Sequence, residues 1–177
     1  MMTLTAALFA LSAHAADAPT ADDCLVDPPT PACTAHVVRI SGTALDASTW
    51  QARLTQALSP QAPNRAKHHA AQLSRDIDAF FLPRTFDDAG VDGLVAILAG
   101  PVMGEPLDRL ERQLLAAELN WLDGYRLDNE DLHLRLLMKG EALMARSQVE
   151  QVDTLDVLRT ARTLAAINQT GADRSDD

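Results

Sequence analysis

The side chains in this chain that could do chemistry are five histidines, two cysteines and a surplus of carboxylates. His68 and His69 are the only adjacent histidine pair. Neighbours on a helix point about 100° apart, whereas chelating pairs sit three or four residues apart. His69 and Asp76 are two turns apart, too far for joint ligation, so the pair reads as a solvated helix face. His133 lies among leucines with Glu130 one turn before it, and reads as a satisfied edge residue rather than a catalyst. Asp87, Asp88, Asp128, Glu130 and Asp131 fall where helix starts favour anions, which makes them caps. Trp50, Trp121, Tyr125 and His133 could line a groove or pocket, although core packing is the commoner use of such rings. No nucleophile elbow, zinc-protease helix, phosphate loop or dinucleotide fingerprint occurs. These residues assign no catalytic set, no metal site and no cofactor.

Cys24 and Cys33 bracket a proline-rich loop, Leu-Val-Asp-Pro-Pro-Thr-Pro-Ala. No histidine or cysteine nearby completes a four-ligand zinc pattern, so a disulfide is the expected pairing. A ring this short stabilises by about 2.5–3 kcal/mol in the chain-entropy model. The bridge needs an oxidising compartment, and the amino terminus supplies an address for one. Thr5 to Leu11 is a short apolar run, and Ala13-His14-Ala15 carries small residues before a cut ahead of Ala16. Residues 1–15 are therefore expected to be a secretory signal peptide, although the segment ahead of Thr5 has no Lys or Arg. Ala21-Asp22-Asp23 before Cys24 is no lipobox, which argues against a lipid anchor. The expected location is periplasmic or secreted, in a bacterium.

With 177 residues the chain allows one ordinary domain. Its formal charge of −10 argues against a nucleic-acid partner. No apolar run reaches the ~18 residues of a transmembrane helix, so no stable membrane insertion is expected after signal cleavage.

The elements that would hold these residues are helices. Pro106 to Ser147 is the densest apolar stretch. Leu107, Leu110, Leu114, Ala117, Trp121 and Tyr125 recur at steps of three and four, and Pro106 suits a first helical position. Gly124 or Asp128-Asn129 should end that helix. A second, from about Glu130 to Arg146, spreads apolar residues round most of its circumference and is expected to be buried between neighbours. Earlier, Ser48-Thr-Trp-Gln51 matches a capping box for a helix that closes at Pro60. Asn64 can cap the next, which carries Ala66, Ala70, Leu73 and Ile77 and ends at Pro83. Val91, Leu94, Val95 and Leu98 form another helical face, with a buried strand over Leu94 to Ala99 as the alternative. A last helix carries Val157, Ala161, Leu164 and Ile167. It is capped at Ser147 through a Ser147–Glu150 box or restarts after Asp153, and Gly171 suits its stop. Thr34 to Ser41 is open between helix and strand: Val37, Val38 and Ile40 favour a strand by propensity, but no second clear strand exists to pair with it, so a helix or an extended arm is expected. Asn168-Gln169-Thr170 is formally a glycosylation sequon.

The fold expected is all-α: five to six helices as successive antiparallel αα-hairpins, in a compact bundle or a short solenoid. Residues 1–15 would be the signal, 16–45 a disulfide-bearing arm, 46–171 the helical domain and 172–177 a disordered tail. The alanine-rich, pairwise pattern resembles tetratricopeptide repeats. Trp121-Leu-Asp-Gly124-Tyr125 has the residue types of that family's Trp-x-x-Leu-Gly-x-x-Tyr motif at a different spacing, without a repeat period of about 34 residues. The expected function is that of a non-catalytic interaction or adaptor module for another protein. An acidic inhibitor or immunity-type protein is the alternative, followed by a small helical hydrolase or a ligand carrier. Thiol titration of the periplasmic protein under denaturing, non-reducing conditions should find no free thiol. Two free thiols would remove the bridge between Cys24 and Cys33.

Overall fold

Residues Leu114 to Asn120 are buried without interruption, which no helix lying on a surface can achieve. They belong to the central helix of an all-helical computed structural model, which describes residues 44–80, 90–127 and 130–170. Six helices occur among the described residues: α1 (Ala47–Leu58), α2 (Asn64–Phe80), α3 (Gly90–Leu98), α4 (Pro106–Leu122), α5 (Glu130–Ser147) and α6 (Thr154–Gln169). The leader, the Cys24–Cys33 loop, Thr34 to Ser41, Asp87-Asp88, Asp128, Gly171 and the tail lie outside the described residues.

Two apolar clusters meet at α4. Leu110, Leu114 and Ala117 pack with Leu132, Leu136 and Leu143 of α5 and with Val157, Leu164 and Ile167 of α6. From the other side, Leu115, Ala116 and Leu119 pack with Trp50 and Leu54 of α1, Leu73 and Ile77 of α2, and Leu94 and Leu98 of α3. The most extensive neighbour of α4 is α6, and that of α1 is α3, so the largest interfaces join helices two apart in the chain. Leu94 and Leu98 face this second cluster from a helix, not a strand.

The helix ends show local chemistry competing. α1 is capped by Asp46, whose Oδ1 accepts from the Thr49 N–H at 2.7 Å. The expected Ser48–Gln51 box is not used, because Ser48 already lies in the first turn and its hydroxyl accepts from Arg112. Asn64 is likewise helical rather than a cap, and the Pro63 carbonyl accepts from Ala66 and Lys67. Asp153, not Ser147, caps α6 by accepting from Leu155 at 3.0 Å. Ser147 ends α5 and donates to the Met144 carbonyl at 2.7 Å. Pro106 does open α4. That helix stops in a Schellman turn: Gly124 takes φ +94°, Tyr125 N–H reaches Asn120 O at 2.8 Å, and Gly124 N–H reaches Trp121 O at 3.2 Å.

Helix α5 departs from its expected burial. Leu134 and Met138, one turn apart, are 42% and 43% exposed, so α5 is a peripheral helix with one apolar face inward. Its inner face includes Gly140. A Cβ there would stand 2.7 Å from Leu114 Cδ1, so hydrogen is the only substituent that fits between α5 and α4 without a shift. Gly140→Leu should therefore destabilise by about 1–3 kcal/mol, and Leu136→Ala by about 2–5 kcal/mol through its cavity. Adding Leu114→Ala to Gly140→Leu should cost less than the sum of the two single changes. Urea melts provide the measurement. Strict additivity would mean that the two positions do not touch.

Candidate functional site

Helix α2 turns Ala66, His69, Ala70 and Leu73 to one side, at the three-four spacing of a single face. Helix α1 answers with Trp50, Arg53, Leu54 and Ala57. Because α1 packs more closely against α3 than against α2, the two faces leave an open cleft of about 670 Å³ between them. Trp50, Leu54, Ala70 and Leu73 are all buried and make an apolar floor. Arg53 and Arg65 put two guanidinium groups on the rim, with His68 and His69 beside them.

One carboxylate organises that rim. Asp123 is the C-cap residue of α4, delivered to the cleft by the Gly124 turn. Its Oδ2 accepts from Arg53 Nη1 at 3.0 Å, and its Oδ1 lies 3.1 Å from His69 Nε2. The Arg53 guanidinium in turn sits 5.0 Å from the centre of the Trp50 ring, within cation–π range. Trp50 Nε1 donates at 2.9 Å to Asn120 Oδ1. Asn120 is saturated: the same oxygen accepts from Leu45 N–H, and its Nδ2 donates to Leu45 O and to Asn168 Oδ1. Asn168 Nδ2 continues to the Gln113 carbonyl and its Oε1. The ring that walls the cleft is thus fixed by a buried amide chain running through α4 to α6.

An imidazole oriented by a carboxylate can act as a base. Here Asp123 binds a guanidinium as well, and the cleft lining has no serine, threonine or cysteine to activate. Among the described residues, no three histidine, cysteine or acidic side chains converge on a point where a metal could sit.

Of the four rings expected to share a groove, only Trp50 lines the cleft. Trp121, Tyr125 and His133 meet elsewhere, at the joint of α4 and α5. The Trp121 and Tyr125 rings stand nearly perpendicular to His133, at 5.0 and 5.9 Å. Arg126 lies over Trp121 at 3.6 Å and donates to the Trp121 and Tyr125 carbonyls. The Tyr125 hydroxyl meets Thr170 Oγ1 at 2.9 Å. His133 is no edge residue. It is fully buried, its Nδ1 accepts a long 3.4 Å bond from Leu127 N–H, and its Nε2 has no hydrogen-bond partner among the described residues. Burial first, and the nearby Arg126 charge second, push its pKa down to about 3. This environment keeps the imidazole in its neutral form at working pH.

Asp123, Arg53 and Asn120 were not singled out from the sequence. Asn120 did carry a signal, being an amide inside an otherwise leucine- and alanine-rich run; Asp123 and Arg53 meet only through the tertiary fold. No family model, curated protein or solved structure matches the chain, so the tetratricopeptide likeness of Trp121 to Tyr125 gains no support from comparison.

The neutral burial of His133 fixes a sign. The unfolded chain takes up this proton below pH 6.5 and the folded one only near pH 3, so stability falls as pH drops through that window. Between pH 7 and pH 5 this residue should lower stability by about 2 kcal/mol. Urea melts of wild type and His133→Leu at both pH values isolate the effect. A variant as acid-sensitive as wild type would show that His133 is not held neutral.

Proposed function

We propose that the chain is an exported, non-catalytic binding module, and that its α1–α2 cleft receives an apolar segment of another protein. The observation behind this reading is the cleft itself: an apolar floor under a rim of Arg53, Arg65, His68 and His69, ordered by Asp123, without a nucleophile. A volume of about 670 Å³ falls in the range of ligand sites. It suits two or three side chains of a docked peptide. Arg65 and His68 make no side-chain hydrogen bond or ion pair among the described residues, leaving donors for an incoming carbonyl or carboxylate. Export rests on residues 1–15 and the Cys24–Cys33 pair, as derived from the sequence. Of the two expected forms, a compact bundle suits this reading better than a solenoid, since α4 lies between two cores.

The cleft's size also suits a small apolar ligand, so a carrier is the second reading. Tagged protein recovered from periplasm should bring down one protein partner in stoichiometric amount. Ala66→Arg, which fills the cleft from a half-buried position, should weaken that capture at least tenfold, about 1.4 kcal/mol. Its helical circular dichroism should match wild type. Equal capture by the variant, or a small molecule recovered without any protein, would overturn the interaction reading.

A further inference from the structure

Arg112 is only 7% exposed, yet no carboxylate meets it. Its Nε donates to the Leu98 carbonyl at 2.8 Å and one Nη2 hydrogen to Ser48 Oγ at 3.0 Å. Both acceptors are neutral. The other three of its five N–H bonds have no acceptor among the described residues. A buried cation is ordinarily paired, because desolvating it is expensive and neutral dipoles only partly restore what water gave. Arg112 also lines a cavity of about 160 Å³ between the α3–α4 connection, α4 and α6. Arg109 and Arg162 line the same space, with the amides of Gln113 and Gln169, and no acidic residue does. The Arg109 guanidinium makes no ion pair among the described residues. A chain of formal charge −10 has gathered three of its fifteen basic residues around one small hollow.

We propose that this cavity is an oxyanion site that takes a phosphoryl group, with Arg112 as its buried anchor and Arg109 closing on it from α4, while Arg162, which has a partner of its own, walls it from α6. Guanidinium groups present planar pairs of donors that match phosphate oxygens, and a dianion balances more of this charge than a carboxylate does. The cavity shares no lining residue with the α1–α2 cleft, so the proposal does not depend on the function read there. Its open mouth admits either free phosphate or the phosphate of an ester whose remainder stays outside.

Calorimetric titration of the full chain with inorganic phosphate, at fixed ionic strength and with chloride as the competing anion, provides the test. One saturable site in the millimolar range or tighter is expected, together with a phosphate-dependent rise in Tm. Arg109→Gln, from a half-buried position, should weaken phosphate at least fivefold while leaving the Tm of the phosphate-free protein unchanged. Arg65→Gln, in the cleft, should bind as wild type does. Acetate should bind more weakly than phosphate. Equal binding of glycerol phosphate would identify an esterified phosphoryl group as the natural occupant, and rejection of the ester would identify free phosphate. No saturable binding, an unaffected Arg109→Gln, or loss on Arg65→Gln instead would overturn the proposal.

Discussion

A helix enclosed on every side cannot send its polar side chains to water, and α4 is so enclosed from Leu114 to Asn120, with Arg112 buried just before. Its apolar residues serve two cores, so Arg112 and Asn120 have to find partners inside the protein. An amide left unbonded in that position would cost about 1–3 kcal/mol. Asn120 avoids this by using all four of its hydrogen-bonding positions, and in doing so joins Leu45, Trp50 and Asn168 across three parts of the chain. The two cores are therefore stitched by directional bonds as well as by packing. Hydrophobic contact alone would tolerate sliding of α1 or α6 along α4; this amide chain does not.

The cleft inherits its shape from that junction. Trp50 cannot swing into the opening while Asn120 holds its ring nitrogen, and Asp123 is placed by a turn only glycine takes readily. The ion pair between Arg53 and Asp123 is partly solvated, with exposures of 44% and 25%, so it contributes little stability. Its effect is positional: it stretches Arg53 along the face of Trp50 and leaves the apolar floor open.

Periodicity made one face of α4 readable, because Leu110, Leu114 and Ala117 repeat at helical spacing and all are buried, while Tyr125 of the same series is buried beyond the helix end. Pro106 and Gly124 were equally readable as its ends. The second face of α4 stayed hidden, since Arg112, Glu118 and Asn120 look like solvent-facing residues until their surroundings are known. The burial of α5 was overestimated for the converse reason: Leu134 and Met138 are apolar in type yet half exposed. The cap of α1 was misplaced by two residues, where Asp46 and Ser48 compete, and at α6 the restart after Asp153 prevails over the box at Ser147. Grouping Trp50 with Trp121, Tyr125 and His133 failed because spacing along a chain says which face a ring occupies, not which neighbour it meets.

Asn168 is fully buried, and both ends of its amide are engaged. In a eukaryotic expression host the Asn168-Gln169-Thr170 triplet would be offered to the glycosylation machinery before α6 has docked. An oligosaccharide attached there has no room in the folded protein, so every glycan-bearing molecule would be withheld from the native state. Replacing Asn168 to erase the sequon would break the amide chain it was meant to protect. Thr170→Ala erases the sequon at the smaller loss of two half-buried hydroxyl contacts, with Tyr125 and with the Ile167 carbonyl, and a bacterial host leaves the triplet bare.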